Sequence, residues 1–206
     1  MFVILDGVDG CGKTTQAELL CAALGEGRPA EEAPLHLREP GSTAVGERVR
    51  ALLLDRELVL SPEVETLLFA AARRQMLDEL VAPALAAGRD VVCERFHPST
   101  FAYQAVAGDL DPDAVLGLLN RWAGTPSPDV ILIFELPVEE ALLRRGAARD
   151  RIEDKGEMYL RRVAEGYRLF AELDPRACVI NAAQSLEAVA LDVRAAIESA
   201  RKGVDA

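Results

Sequence analysis

The stretch Gly7-Val8-Asp9-Gly10-Cys11-Gly12-Lys13-Thr14 fits the pattern G-x-x-x-x-G-K-[ST], and what flanks it decides the fold. Before it runs Phe2-Val3-Ile4-Leu5, an apolar segment that reads as a buried strand. After it come Thr15 to Leu24, whose apolar positions recur at helical spacing. Strand, glycine loop and helix in that order make a phosphate-binding loop. Its glycines let the backbone curl until successive N–H groups point at one anion, and the dipole of the following helix adds to the attraction. Gly7, Val8, Asp9, Gly10, Cys11, Gly12, Lys13, Thr14 and Thr15 are therefore expected to hold a nucleoside triphosphate. Lys13 would reach its β/γ-phosphates, and the Thr14 hydroxyl would ligate Mg²⁺.

Working outward, Leu35 to Arg38, Asp90 to Glu94, Val130 to Leu136 and Val179-Ile180 read as four further strands. Helices are expected over Thr43 to Leu54 and Ser61 to Ala87, and others open at Asp111-Pro112 and Pro137. Ser185 should cap a last one. The serine and the proline of Ser61-Pro62 suit an N-cap and a first helical position. A charged segment runs from Arg144 to Lys155. Strands alternating with helices predict a five-stranded parallel sheet covered on both faces, a three-layer α/β fold in one domain over residues 1–206. Ligands of such sheets lie beyond the carboxyl ends of the strands, so the residues just after each strand are the functional candidates.

The 206 residues are half apolar and carry a formal charge of −11. That charge argues against a nucleic-acid polymer as partner, which would require a basic face. No apolar run approaches bilayer length, and the N-terminal apolar stretch lacks the basic flank of a secretory signal, so no membrane role is expected. Cys11, Cys21, Cys93 and Cys178 are widely spaced, which fits a reducing cytoplasm better than a disulfide framework or zinc site. An acidic protein that binds anions must concentrate its arginines locally. Strand ends deliver them: Arg38-Glu39-Pro40-Gly41 after the second strand and Glu94-Arg95 after the third, with Arg144-Arg145 and Arg149-Asp150-Arg151 in the charged segment. Arg144 also stands four residues after Glu140, where it can pair with it on a helix surface.

Over nearly its whole length the chain resembles the bacterial thymidylate kinases. The resemblance is carried by the loop from Gly7 to Thr15, Arg38-Glu39-Pro40-Gly41, Arg50, Phe69-Ala70-Ala71-Ala72-Arg73, Arg95 through Ser99-Thr100-Phe101-Ala102-Tyr103-Gln104, and Asp150-Arg151-Ile152-Glu153. It implies a P-loop kinase fold with a short lid at about 144–155, ATP and dTMP as substrates, and a homodimer. Substrate binding would fall to Asp9, Arg38, Glu39, Pro40, Arg50, Phe69, Arg73, Arg95, Ser99, Thr100, Tyr103 and Gln104. Asp9 would meet the sugar 3′-hydroxyl, and Arg38, Arg50 and Arg95 the acceptor phosphate. Phe69 would stack on the base, Arg73 would donate to its 4-oxo group, and Thr100 and Gln104 would face its other polar edge. Tyr103 would crowd the 2′ position. The catalytic set would be Lys13, Glu94, Arg95 and the lid residues Arg149 and Arg151. Without that likeness, Phe69 reads as plain core on an apolar helix.

Two positions depart from the family pattern. Glu94 replaces an aspartate expected to organise Lys13 and the metal's waters, and Ser42 replaces a glycine. The extra methylene moves the carboxylate by roughly 1.5 Å. The sequence offers no reason for it and predicts that Glu94→Asp keeps or raises turnover. Other readings of the loop lack their own signatures. A guanine-reading switch wants Asn-Lys-x-Asp, and a transporter-type ATPase wants Leu-Ser-Gly-Gly-Gln; the chain has neither. Glu135 resembles a metal-organising acid at a strand end, but Leu136-Pro137 follow it, and it reads as the end of the strand.

Overall fold

The computed structural model describes residues 1–144 and 156–204. The expected lid, with Arg145, Arg149 and Arg151, lies outside the described residues except for Arg144 at its start. The chain begins with β1 (Phe2–Gly7), buried along its whole length, as a run of consecutive apolar residues requires of a central strand. Around it stand β2 (Leu35–Arg38), β3 (Val91–Glu94), β4 (Val130–Glu135) and β5 (Ala177–Asn181). All pairings are parallel, in the order β2-β3-β1-β4-β5. From β1 the chain builds β2 and β3 on one side and β4 and β5 on the other. The carboxyl end of β1 is thus the switch point where a crevice opens, and the glycine loop occupies it.

The helices are α1 (Lys13–Gly25), α2 (Ala44–Leu54), α3 (Pro62–Met76), α4 (Ala82–Ala86), α5 (His97–Thr100), α6 (Pro112–Ala123), α7 (Val138–Arg144), α8 (Glu157–Leu173) and α9 (Leu186–Val204). Their starts follow the expected caps. Ser61 accepts from Val64 N, Thr43 from Gly46 N, Asp111 from Asp113 N and Ser185 from Ala188 N. The segment read as one helix from Ser61 to Ala87 is α3 and α4 joined by a π-helical turn at Leu77–Val81. Pro83 has no N–H to donate back along the helix, and the wider turn just before it absorbs that missing bond. A second π-helical turn, Phe101–Val106, extends α5. The expectations did not include α8, although Leu160, Val163, Tyr167 and Phe170 form its buried stripe at helical spacing.

The main core fills both faces of the sheet. A separate small cluster of Val49, Leu53 and Ala72, with Leu60, Leu68 and Phe69 packed on it, joins α2 to α3. That cluster sets the wall that faces the crevice.

Candidate active site

The loop needs its glycines for two different reasons. Gly10 and Gly12 have φ of 87° and 91°, the left-handed region that side chains disfavour. A Cβ on Gly10 would also lie 2.7 Å from the Ala141 carbonyl, whereas one on Gly12 would meet nothing within 4 Å. Gly10 is thus fixed by packing against α7, and Gly12 leaves open space beside the first turn of α1. Lys13 folds back on the loop and donates to the Gly7 and Val8 carbonyls, both at 2.9 Å. Its Nζ is 3.7 Å from Asp9 Oδ1. Cys11 packs beneath the loop, and burial pushes its thiol up, so it stays protonated.

Below the loop lies Asp6, fully buried, whose carboxylate accepts from Gly7 N, Phe96 N, Ser99 N, Ser99 Oγ and the Tyr167 hydroxyl at 2.7–3.0 Å. Burial and then the Asp6 charge push the Tyr167 phenol well up, which keeps it a donor. One carboxylate thereby ties the loop to the turn after β3 and to α8. Asp6 and Tyr167 were not among the expected site residues.

A cavity of about 490 Å³ opens beside the loop. Its lining includes Asp9, Gly10 and Gly12 to Thr15 from the loop, and Arg38, Glu39 and Pro40 from the end of β2. Arg50 and Leu54 come from α2, Phe69 from α3, and Glu94 and Arg95 from the end of β3. Ser99, Thr100, Tyr103 and Gln104 complete it. Eleven of the twelve expected substrate residues therefore share one cavity, and only Arg73 does not line it.

Arg73 lies under the floor, 1 % exposed. Its Nε donates to Glu39 at 2.6 Å and its Nη2 to Thr100 Oγ1 at 3.1 Å, while Nη1 has no hydrogen-bond partner. Burial raises the Glu39 carboxyl to about 7 against the pull of Arg73. Gln104 donates through Nε2 to Glu65 at 2.9 Å, and its Oε1 is likewise buried without a partner. Because an ionised carboxylate only accepts, Glu65 fixes which way that amide points. Glu65, Phe69 and Arg73 follow one another at intervals of four on α3 and so share one face. That spacing was the available sign of Glu65, which the sequence reading passed over.

Arg95 has φ of 68°, a strained setting for a side-chain residue and one that marks functional turns. Its guanidinium pairs with Asp9, donates to Ser99 at 3.1 Å and lies over the Tyr103 ring. Burial opposes its charge, but Asp9 together with Tyr103, Tyr167 and Asp6 more than offsets that and holds it well above its ordinary value. Arg50 donates to the Pro40 carbonyl at 3.2 Å. Glu94 lies beside Thr14 and His36. It does not contact Lys13; its Oε2 accepts from Thr14 Oγ1 at 2.5 Å and its Oε1 faces His36 Nε2 at 3.0 Å. Arg144 pairs with Glu140 at 2.5 Å, as its spacing predicted, and also donates to the Ala182 carbonyl. Glu135 pairs with Arg168, which fits a strand end.

A phosphate loop at the switch point of a parallel sheet, beside a cavity lined by Arg38, Arg50 and Arg95, defines a P-loop kinase of small phosphorylated molecules. Residues 5–193 match the family model described as thymidylate kinase. The thymidylate kinase of Caldanaerobacter subterraneus subsp. tengcongensis is 40 % identical over 206 residues, covering 98 % of this chain and 97 % of that one. That of Prochlorococcus marinus is 46 % identical over 175 residues, covering 82 % and 81 %. The crystal structure of thymidylate kinase from Ehrlichia chaffeensis superposes with a TM-score of 0.76 at 30 % identity, covering 96 % and 98 %. The chain belongs to the thymidylate kinase family.

Proposed function

We propose that this chain transfers the γ-phosphoryl group of ATP to the 5′-phosphate of dTMP, giving ADP and dTDP for dTTP synthesis. The observation that carries the choice of base is a set of buried side-chain atoms without hydrogen-bond partners: acceptor Oε1 of Gln104 in the cavity lining and donor Nη1 of Arg73 just beneath it, with Glu39 Oε1 beside them. Thymine offers a 4-oxo acceptor next to an N3–H donor, the complement of Arg73 Nη1 and Gln104 Oε1. Phe69 supplies an aromatic surface for the ring.

The acceptor phosphate has a second pKa near 6 and is largely ionised at neutral pH, so the reaction needs no general base. It needs the charges of two anions neutralised while they meet in line. Lys13 and Arg95 are held by loop carbonyls and by Asp9, contacts that arriving phosphates can replace. Arg38 and Arg50 line the same cavity and would hold the acceptor phosphate. The loop carries no arginine, so we assign further cationic charge to Arg149 and Arg151. The Thr14 hydroxyl beside the Glu94 carboxylate is the kind of hard oxygen set that suits Mg²⁺, which supplies charge neutralisation to the moving group when bound.

The cytoplasm is the expected setting, with all four cysteines free and, among the described residues, no helix long and apolar enough to cross a membrane. A homodimer is supported by Val45 and Leu52 on α2 and Val64 and Leu67 on α3, large apolar side chains left exposed. A strictly monomeric species in sedimentation at micromolar concentration would refute it. The kinase reading is tested by supplying ATP and Mg²⁺ with each nucleoside monophosphate in turn. ADP release should depend on dTMP, and equal release without it removes the reading.

A further inference from the structure

We propose that His36 is a positioning residue that holds the Glu94 carboxylate on Thr14, a role created by the extra methylene at position 94. The inference rests on the site proposed above and concerns a residue outside its cavity.

The sheet brings the two side chains together. In the β2–β3 pairing His36 stands opposite Val92 and Arg38 opposite Glu94. Residues two apart on a strand share a face, so His36 and Glu94 lie on the same side of the sheet. Thr14, in the first turn of α1, caps the same carboxylate from above. Both oxygens are therefore tied, Oε2 by the Thr14 hydroxyl at 2.5 Å and Oε1 by His36 Nε2 at 3.0 Å. A carboxylate accepts and does not donate, so His36 must carry its proton on Nε2. The Glu94 side chain is 6 % exposed and that of His36 is 31 % exposed.

Glutamate has one more rotatable bond than aspartate, and that freedom must be removed if the carboxylate is to stay on Thr14. His36 removes it by holding the oxygen that Thr14 does not. Aspartate at 94 would draw the carboxylate back by roughly 1.5 Å, leaving His36 out of hydrogen-bond range. The contact is thus specific to glutamate, and we predict that aspartate at 94 serves less well. The competing account is a surface pair with no bearing on the reaction, as many exposed pairs are. The connection from His36 through Glu94 to Thr14 is what distinguishes the two.

The test compares His36→Ala, His36→Gln, Glu94→Asp and the double variant His36→Ala/Glu94→Asp. His36→Ala should lower kcat by about three- to tenfold, with KM for dTMP within about twofold and an unchanged thermal midpoint, the size expected when a reacting group is slightly misplaced. His36→Gln, whose amide can donate, should restore most of the loss. In the Glu94→Asp background, His36→Ala should change nothing further. An equal loss in both backgrounds, or a loss that Gln does not rescue, overturns the proposal. A second readout needs no turnover. The chain has two histidines, and ¹⁵N spectra of the free protein labelled at histidine can be assigned with His36→Gln. The His36 Nε2 signal should be that of a protonated donor and should shift in Glu94→Asp. Identical His36 signals in the two proteins overturn the proposal whether or not dTMP is the substrate.

Discussion

Gln104→Leu separates base recognition from every other part of the site. In the wild type the Gln104 Oε1 acceptor of the cavity lining and the Arg73 Nη1 donor beneath it are buried without partners. Thymine satisfies both. Cytosine offers a 4-amino donor to Arg73 and a bare N3 to Gln104, so both protein groups stay unpaired. Each buried unpaired group costs about 1–3 kcal/mol, so dTMP should be favoured over dCMP by roughly 30-fold to 10⁴-fold in kcat/KM. Leucine removes one of the two partners. The N3–H of dTMP then goes unpaired while dCMP loses nothing, and the preference should shrink by about 5- to 150-fold. Any loss of folded protein, including that from leaving Glu65 without its Gln104 donor, acts on both substrates equally and cancels in the ratio. The assay is steady-state ADP release with each monophosphate at fixed ATP. A variant that loses activity on dTMP and dCMP alike, with the ratio preserved, would show that Gln104 does not read the base.

Three shorter expectations follow from other parts of the structure. The thymine methyl is worth about 1–3 kcal/mol, so dUMP should be a poorer but real substrate, and kcat/KM equal to that for dTMP refutes a methyl-sensing wall. Gly10→Ala forces a side chain into a φ of 87° and against the Ala141 carbonyl, so it should cost about 1–3 kcal/mol or more of stability and weaken ATP binding. A wild-type thermal midpoint would contradict that packing. Burial, and then the charge of Arg73, lowers the His97 pKa to about 3, while the unfolded chain takes up its proton near 6.5. His97 therefore destabilises the fold as pH drops below about 6.5, by roughly 2 kcal/mol at pH 5. Unfolding free energies from urea titrations at pH 7 and 5 should differ in the wild type by that much more than in His97→Gln; an equal difference refutes it.

The parts legible in the sequence are those where a local backbone or a strand end carries the chemistry. The glycine loop declares itself because its conformation demands particular residues at particular spacings. Arg38, Glu39, Glu94 and Arg95 are legible because a parallel sheet presents its strand ends to the ligand. Phe69, Arg73, Tyr103 and Gln104 are legible only through the family resemblance; without it Phe69 reads as core, and Tyr103 and Gln104 as ordinary helix residues. What stayed hidden depends on contacts between distant segments. Tyr167 meets Asp6 across 161 positions, and Gln104 meets Glu65 across 39. His36 meets Glu94 across 58. Spacing along one helix can mark Glu65, but no periodicity gives its partner or announces the other two pairs. The helix α8 was different, since its apolar stripe was present and the charged segment before it obscured where it began.

The central claim is that this cavity holds a thymidine monophosphate in line with the ATP bound on the loop. It is tested most directly by following the label from [γ-³²P]ATP in the presence of Mg²⁺ and dTMP. The account predicts that the label appears in the β-phosphate of dTDP, one for each ADP formed. Label released as inorganic phosphate, at a rate that dTMP does not change, would contradict it.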